Sequence, residues 1–328
     1  MYPLIDILRL HHPEDSEKSA VRAYGGIKLN ELFNELCLSL VKYKSMRLKQ
    51  LTDVFGVNPN SIKNWRGLNC KYKEGHPVPL WALEKILELT NSRYGAGHRE
   101  IIKTINHLKT GRTAKRVRAA IYLDENLARL CGAHAADGSL YGWKDRGPVT
   151  ARWDIGDLEK SNIDAAREWI KELFEIDTPE LSKGRMSYTW SNMQVISRYL
   201  TLIFDFPIGR KTETVKEPKI LSGNDNRLLT SLSKDMSNKL RLEFAKEVIN
   251  FDGHSTMTGG IVSVGLGVNS PHLRSSIAEI FGNYRISFKN YEKHRKILTT
   301  SKLDADKIHN IGVFRGKKRI KFEKLLGN

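Results

Sequence analysis

Two Asp-Gly pairs, Asp137-Gly138 and Asp252-Gly253, are the residues of this sequence best placed to do chemistry. Each ends an apolar, helix-like run: ENLARLCGAHAAD before the first and LRLEFAKEVINFD before the second. After each comes an extended stretch, aromatic after the first (SLYGW) and rich in Gly and β-formers after the second (GGIVSVGLGV). An aspartate at a helix end projects beyond the helix, and its hard oxygens suit Mg²⁺, which keeps several waters and bridges phosphate oxygens. The two acids stand 252 − 137 = 115 residues apart, and aligning them aligns the helices and strands around them. Such self-similarity implies two similar domains related by a pseudo-twofold.

The helices that must carry these acids differ in composition. The first is capped by Asp124 and is full of small residues, Ala128, Cys131, Gly132, Ala133, Ala135 and Ala136, which let two helices approach backbone to backbone. Leu130-Cys131-Gly132-Ala133-His134-Ala135-Ala136-Asp137-Gly138, continued by Ser139-Leu140-Tyr141, resembles the LAGLIDADG motif of homing endonucleases. The run from Phe244 to Gly253 resembles the second motif of a single-chain, archaeal-type member. Residues 159–176 resemble the helix after the first hairpin, and 204–221 the connecting segment; the likeness covers about 120–312.

The resemblance implies an α+β fold of two pseudo-symmetric αββαββα domains forming a DNA saddle. It implies a monomer that cuts double-stranded DNA with Mg²⁺ held by Asp137, Asp252 and the backbone carbonyls of Ala136 and Phe251. Three departures stand against full activity. Glu247 replaces the glycine of the second motif, and Phe251 replaces a small residue. A buried unpaired carboxylate is costly, so a partner is expected for Glu247, with His134 the candidate. Thirdly, active members carry a basic or glutamine residue in each sheet near the metal. Between Glu247 and Lys289 only Arg274 and Arg285 are basic, apart from histidines.

The charge points to a polyanion. Net charge is +17, and nucleic acid is the commonest partner of so basic a chain. Residues 1–120 hold 21 Lys and Arg against 11 Asp and Glu, a net +10, and 99–118 hold seven basic residues and one acid. Upstream, LTDVFGVNPNSIKNWRG (51–67) resembles a helix-turn-helix of the lambda-repressor type over about residues 29–90. With Ile62 and Trp65 inward, Asn60, Ser61, Lys63, Asn64 and Arg66 would face a major groove. Further DNA contacts are expected from Arg112, Lys115, Arg116 and Arg118 in the basic stretch. From the sheets they are expected at Trp143, Lys144, Arg146, Arg152, Arg185 and Arg285, and from a C-terminal edge or tail at Lys317, Lys318 and Arg319. A merely wet helix face and tryptophans that only pack a sheet are the plainer readings of the same residues.

The organisation expected is an N-terminal arm (1–28), an all-α helix-turn-helix domain (29–92), a basic linker (93–122), and two αββαββα domains (123–222 and 223–328). Cys37, Cys70 and Cys131 form no C-x-x-C, which argues against a zinc site. Without a signal-peptide pattern or an apolar run of about 18 residues, a cytoplasmic, non-membrane protein is expected. Two alternatives use the same fold: a catalytically inactive DNA-binding transcriptional regulator, for which Glu247 and Phe251 speak, and an intron maturase acting on RNA.

Overall fold

Most of the chain's elements follow its apolar spacing. In this computed structural model all residues are described except 1, 14, 16–19, 69–74, 111–114, 142–151, 192, 209–212, 224 and 328. One unit comprises Leu4–Tyr122, the other Met1–Pro3 with Leu123–Asn328.

The first unit runs β1 (Val21–Tyr24), α1 (Gly26–Lys44), α2 (Leu48–Phe55), α3 (Pro59–Trp65), β2 (Val78–Pro79), α4 (Leu80–Leu89), α5 (Ala96–Thr104), β3 (His107–Thr110) and β4 (Val117–Arg118). Phe33, Phe55 and Trp65 pack with ring centroids 6.0–6.2 Å apart, both phenylalanines edge-on to the tryptophan, and Trp81 joins Trp65 at 5.6 Å. Gly56 turns the chain from α2 to α3 at φ 64°, where a side chain would be strained. The Asn58 side chain then accepts from the Asn60 N–H at 2.9 Å, with Pro59 in the first turn of α3.

Three expectations are corrected in this unit. It is not all-α: its strands form an antiparallel sheet of order β2-β1-β3-β4, with Ala23 between Val78 and Leu108. The expected linker supplies β3 and β4, because Leu108, Thr110 and Val117 alternate inward beneath the basic residues. The start of the chain is not a loose arm either. Leu4, Ile5, Ile7, Leu8 and Leu10 are fully buried, and the Ile5 N–H reaches the Ile121 carbonyl at 2.8 Å.

The second unit repeats one pattern. Its first half runs α6 (Glu125–Asp137), β5 (Gly138–Tyr141), β6 (Arg152–Asp157), α7 (Lys160–Phe174), β7 (Glu180–Lys183), β8 (Met186–Ser191) and α8 (Gln194–Arg198). Its second half runs α9 (Lys234–Asp252), β9 (Gly253–Thr258), β10 (Ile261–Gly267), α10 (Pro271–Gly282), β11 (Phe288–Tyr291), β12 (Lys296–Thr299) and α11 (Lys302–Asn310), and α12 (Gly316–Leu326) follows. Both halves are αββαββα. Their antiparallel sheets have orders β5-β6-β8-β7 and β11-β12-β10-β9, the same connectivity read from opposite edges. Each sheet turns one face to a helix layer: Trp153 and Ile155 are buried with Trp169 and Ile170 of α7, and Val264 and Leu266 with Ile277 and Phe281 of α10. Among the described residues no helix is long and apolar enough to cross a membrane.

Candidate active site

Helices α6 and α9 pack along each other. Asp124 caps α6, accepting from the Leu127 N–H at 2.9 Å, and Ser233 caps α9, accepting from the Met236 N–H at 3.3 Å. Gly132 sets their spacing. A Cβ there would lie 2.3 Å from the Phe244 carbonyl oxygen and 2.9 Å from the Glu247 Cβ, so only hydrogen fits.

Both helices end in the same way. Gly138 and Gly253 are extended, and their N–H groups donate to the carbonyls of His134 and Ile249, four residues back. A Cβ on Gly138 would meet His134 Nδ1 at 2.1 Å, and one on Gly253 would meet the Ile249 carbonyl oxygen at 2.3 Å. Glycine is therefore required after each aspartate by lack of space rather than by dihedral angle. Asp137 and Asp252 are both half-buried and line one cavity of about 640 Å³ with Ala136, Gly138 and the segment Gly267–Ser270. Buried Arg274 clamps that segment, donating to the carbonyls of Val268 and, at 3.3 Å, Asn269.

Glu247 does not pair with His134. It is 2% exposed, and its carboxylate accepts from the Arg315 guanidinium and, at 3.1 Å, from Asn250 Nδ2. Burial holds its carboxyl above the ordinary range, with Arg315 opposing the rise. Arg315 also stacks over Trp169, 5.2 Å from the ring centroid, so it ties α9 to α7. His134 is buried with its ring edge-on to Phe206 at 4.7 Å.

The C-terminal basic run is helix α12 rather than an edge strand or tail, since Phe322 and Leu326 turn inward at helical spacing. Lys317 and Arg319 are exposed, Arg319 against Glu323 at 2.8 Å. Lys318 is turned onto the protein: its Nζ donates to the carbonyls of Asn250 at 2.8 Å and Phe251 at 2.5 Å. Among the described residues no side chain donates to the Ala136 carbonyl.

For Mg²⁺ the fit is therefore unequal. Two carboxylates on one cavity suit a hard cation that keeps its waters. No group of three or more His, Cys, Asp or Glu side chains suits a metal among the described residues, so phosphate or water oxygens would complete the shell. The Phe251 carbonyl, expected as a metal ligand, already accepts an ammonium.

Of the expected DNA contacts, Asn60 and Lys63 are exposed on α3, and Ser61, Asn64 and Arg66 half-buried. Arg66 donates to Asn34 Oδ1 at 2.7 Å. Lys115, Arg116 and Arg118 are exposed, with Arg116 stacked 4.1 Å over Tyr24. Arg152 is exposed and stacks 4.4 Å over Trp190, whereas Trp153 faces the core. Arg185 is exposed in the turn between β7 and β8. Arg285 lies in the turn before β11, at the end of the sheet away from Gly253 and Gly267. Arg112, Trp143, Lys144 and Arg146 lie outside the described residues.

The second sheet shows residues that sequence reasoning missed. Thr256, Tyr291 and Lys296 line a groove on its solvent face. Lys289 lies 5.5 Å from the Tyr291 ring, and Lys296 pairs with Gly267, which lines the acid cavity. The alternation in Lys289-x-Tyr291 was the available signal.

No protein-family model matches the chain, and no curated protein matches it. Among solved structures the chain is similar to the homing endonuclease I-DmoI in complex with DNA and Ca, at 13% identity over 62% of this chain and 98% of that one, TM-score 0.40. It is similar to the homing endonuclease I-WcaI bound to its DNA recognition sequence, at 11% identity over 60% and 85%, TM-score 0.39. A third is the LAGLIDADG meganuclease I-AabMI bound to uncleaved DNA, at 10% identity over 62% and 90%, TM-score 0.37.

Proposed function

We propose that this chain is a site-specific, Mg²⁺-dependent DNA endonuclease of the LAGLIDADG type, with Asp137 and Asp252 at its centre. The observation that carries the reading is the shared cavity: two αββαββα halves each end their first helix in Asp-Gly, and both acids line one space. Mg²⁺, when bound, would polarise the scissile phosphate and lower the pKa of a water. The protein's part is to hold the two carboxylates at fixed helix ends, with Arg274 fixing the cavity wall. The solvent faces of the two sheets, with Arg152 stacked on Trp190 and Lys289 and Lys296 around Tyr291, would read and position the duplex. The Asn60–Arg66 segment and Lys115, Arg116 and Arg118 would add affinity through phosphate contacts.

A plasmid-library cleavage assay with Mg²⁺ tests this: sequence-specific cuts are expected. One observation favours a second reading, a non-cutting transcriptional regulator: the Lys318 ammonium on the Phe251 carbonyl. Tight specific binding with no nicking in Mg²⁺ or Mn²⁺ would establish the regulator instead.

A further inference from the structure

The two motif helices match in their terminal Asp, in the glycine that follows and in the carbonyl that glycine's N–H reaches. They differ in what meets the carbonyl just before the acid. A helix's last carbonyls lack intrahelical partners and carry partial negative charge, so they attract a cation. At α9 that cation is built into the chain, Lys318 Nζ at 2.5 Å from the Phe251 oxygen and 2.8 Å from that of Asn250. Its place is fixed from both sides. Arg315 is bound to Glu247 through its guanidinium and to Asn250 Oδ1 through its N–H at 3.3 Å. The Lys317 N–H donates to Glu159 Oε2 at 3.2 Å, and Phe322 and Leu326 bury the far end of α12. At α6 no side chain among the described residues does the same for Ala136.

We propose that the Lys318 ammonium, fixed on the Phe251 carbonyl, stands in the place of one divalent cation, so that the protein takes a single metal ion where two equivalent helix ends would take two. The proposal rests on the reading of Asp137 and Asp252 as metal ligands. Mg²⁺ needs its oxygens at roughly 2.0–2.1 Å in near-octahedral array. An ammonium already bonded to the same oxygen blocks that approach and repels the incoming ion. Lysine is suited to the role because its ammonium is a compact point charge with three donors. Two donors are used here, and the third is left for a phosphate oxygen or Asp252. The two DNA strands would then meet different cations, a metal at the α6 end and an ammonium at the α9 end.

The test is a Mn²⁺ titration of the full chain without DNA, with free Mn²⁺ read by electron paramagnetic resonance, on wild type, Lys318→Arg and Lys318→Met. One ion is expected for wild type and Lys318→Arg, and two for Lys318→Met; Asp137→Asn should remove the wild-type ion. Two ions on wild type overturn the proposal while leaving the metal reading standing. One ion on a Lys318→Met protein with native near-ultraviolet circular dichroism also overturns it. No ion on any of the proteins overturns the metal reading and this proposal with it. Should Lys318→Met fail to fold, the wild-type count alone decides: one supports, two overturns.

Discussion

The carboxylate of Glu247 accepts a hydrogen bond from the guanidinium of Arg315, 68 residues further along the chain. This contact turns the least suitable residue of the second motif into a joint. The Glu247 Cβ occupies the close helix contact opposite Gly132, while its carboxylate is met by Arg315 and Asn250. Arg315 in turn rests on Trp169 of the first half. The departure at position 247 therefore couples α12, α9 and α7 and leaves the acid cavity open.

Changing Asp137 or Asp252 to Asn should remove nicking and spare binding. An amide keeps the shape and loses the charge that Mg²⁺ requires. Activity on a cleaved site should fall at least roughly 10²–10³-fold, the scale seen when a transition-state-stabilising group is lost. A gel-shift on the same duplex should change less than about threefold, because binding rests on Lys and Arg contacts to phosphates. Equal loss of both would show that the acids act in folding or binding.

Gly132→Ala should destabilise the second unit by about 1–3 kcal/mol, the range for overpacking a tight core. The new Cβ would lie 2.3 Å from a backbone oxygen, which cannot rotate away. Gly97→Ala is the control: it is exposed on α5 with nothing within 4 Å, and should be neutral or stabilise by about 0.5 kcal/mol. Urea denaturation of the two variants gives the comparison, and similar midpoints would contradict the packing argument.

Arg315→Ala should destabilise by about 3 kcal/mol at pH 8, because it leaves Glu247 charged and buried without its guanidinium. An acid whose folded pKa is raised takes up a proton on folding. Its charged form lowers stability above that pKa, and the loss is relieved as pH falls toward the unfolded value of about 4.3. The difference from wild type should therefore shrink between pH 8 and pH 5, and Arg315→Ala with Glu247→Gln should lose most of the pH dependence. A difference that grows on acidification would contradict the assignment.

Arg152→Ala should weaken duplex binding and lower the slope of log affinity against log salt by about 1 if the guanidinium meets a phosphate. If it meets a base edge, about 1–3 kcal/mol is lost on the specific sequence alone. Fluorescence anisotropy at several salt concentrations separates the two, and unchanged binding would mean that the Arg152–Trp190 stack faces no nucleic acid.

How much of this was legible in the sequence depended on sequence distance. The first motif is local: small residues, Asp and Gly lie within one helix and the turn after it, so α6 and Asp137 could be read directly. Asp252 came from the 115-residue repeat. Contacts made across the fold were hidden. Arg315 and Lys318 reach α9 from a segment whose mixed basic and apolar residues fit strand and helix equally, and nothing local said which carbonyls an ammonium would meet. The sheet of the first unit was missed for the same reason: β1 pairs with β3 some 85 residues on, and the charges of β3 and β4 masked an alternation only a few residues long.

The connection at the start of the chain has a practical consequence. Pro3 accepts from the Leu123 N–H at 3.0 Å, Leu4 bridges Tyr122, and Tyr2 is bonded to Glu125. The segment from 4 to 122 thus leaves and re-enters at one point, with the topology of an inserted cassette. A cut within it, at residue 95 for example, would strand β3 and β4 without β1. Excising all of it and joining Pro3 to Leu123 through a short glycine turn would keep the Tyr2–Glu125 contact, and a different folded module could be spliced into the same gap.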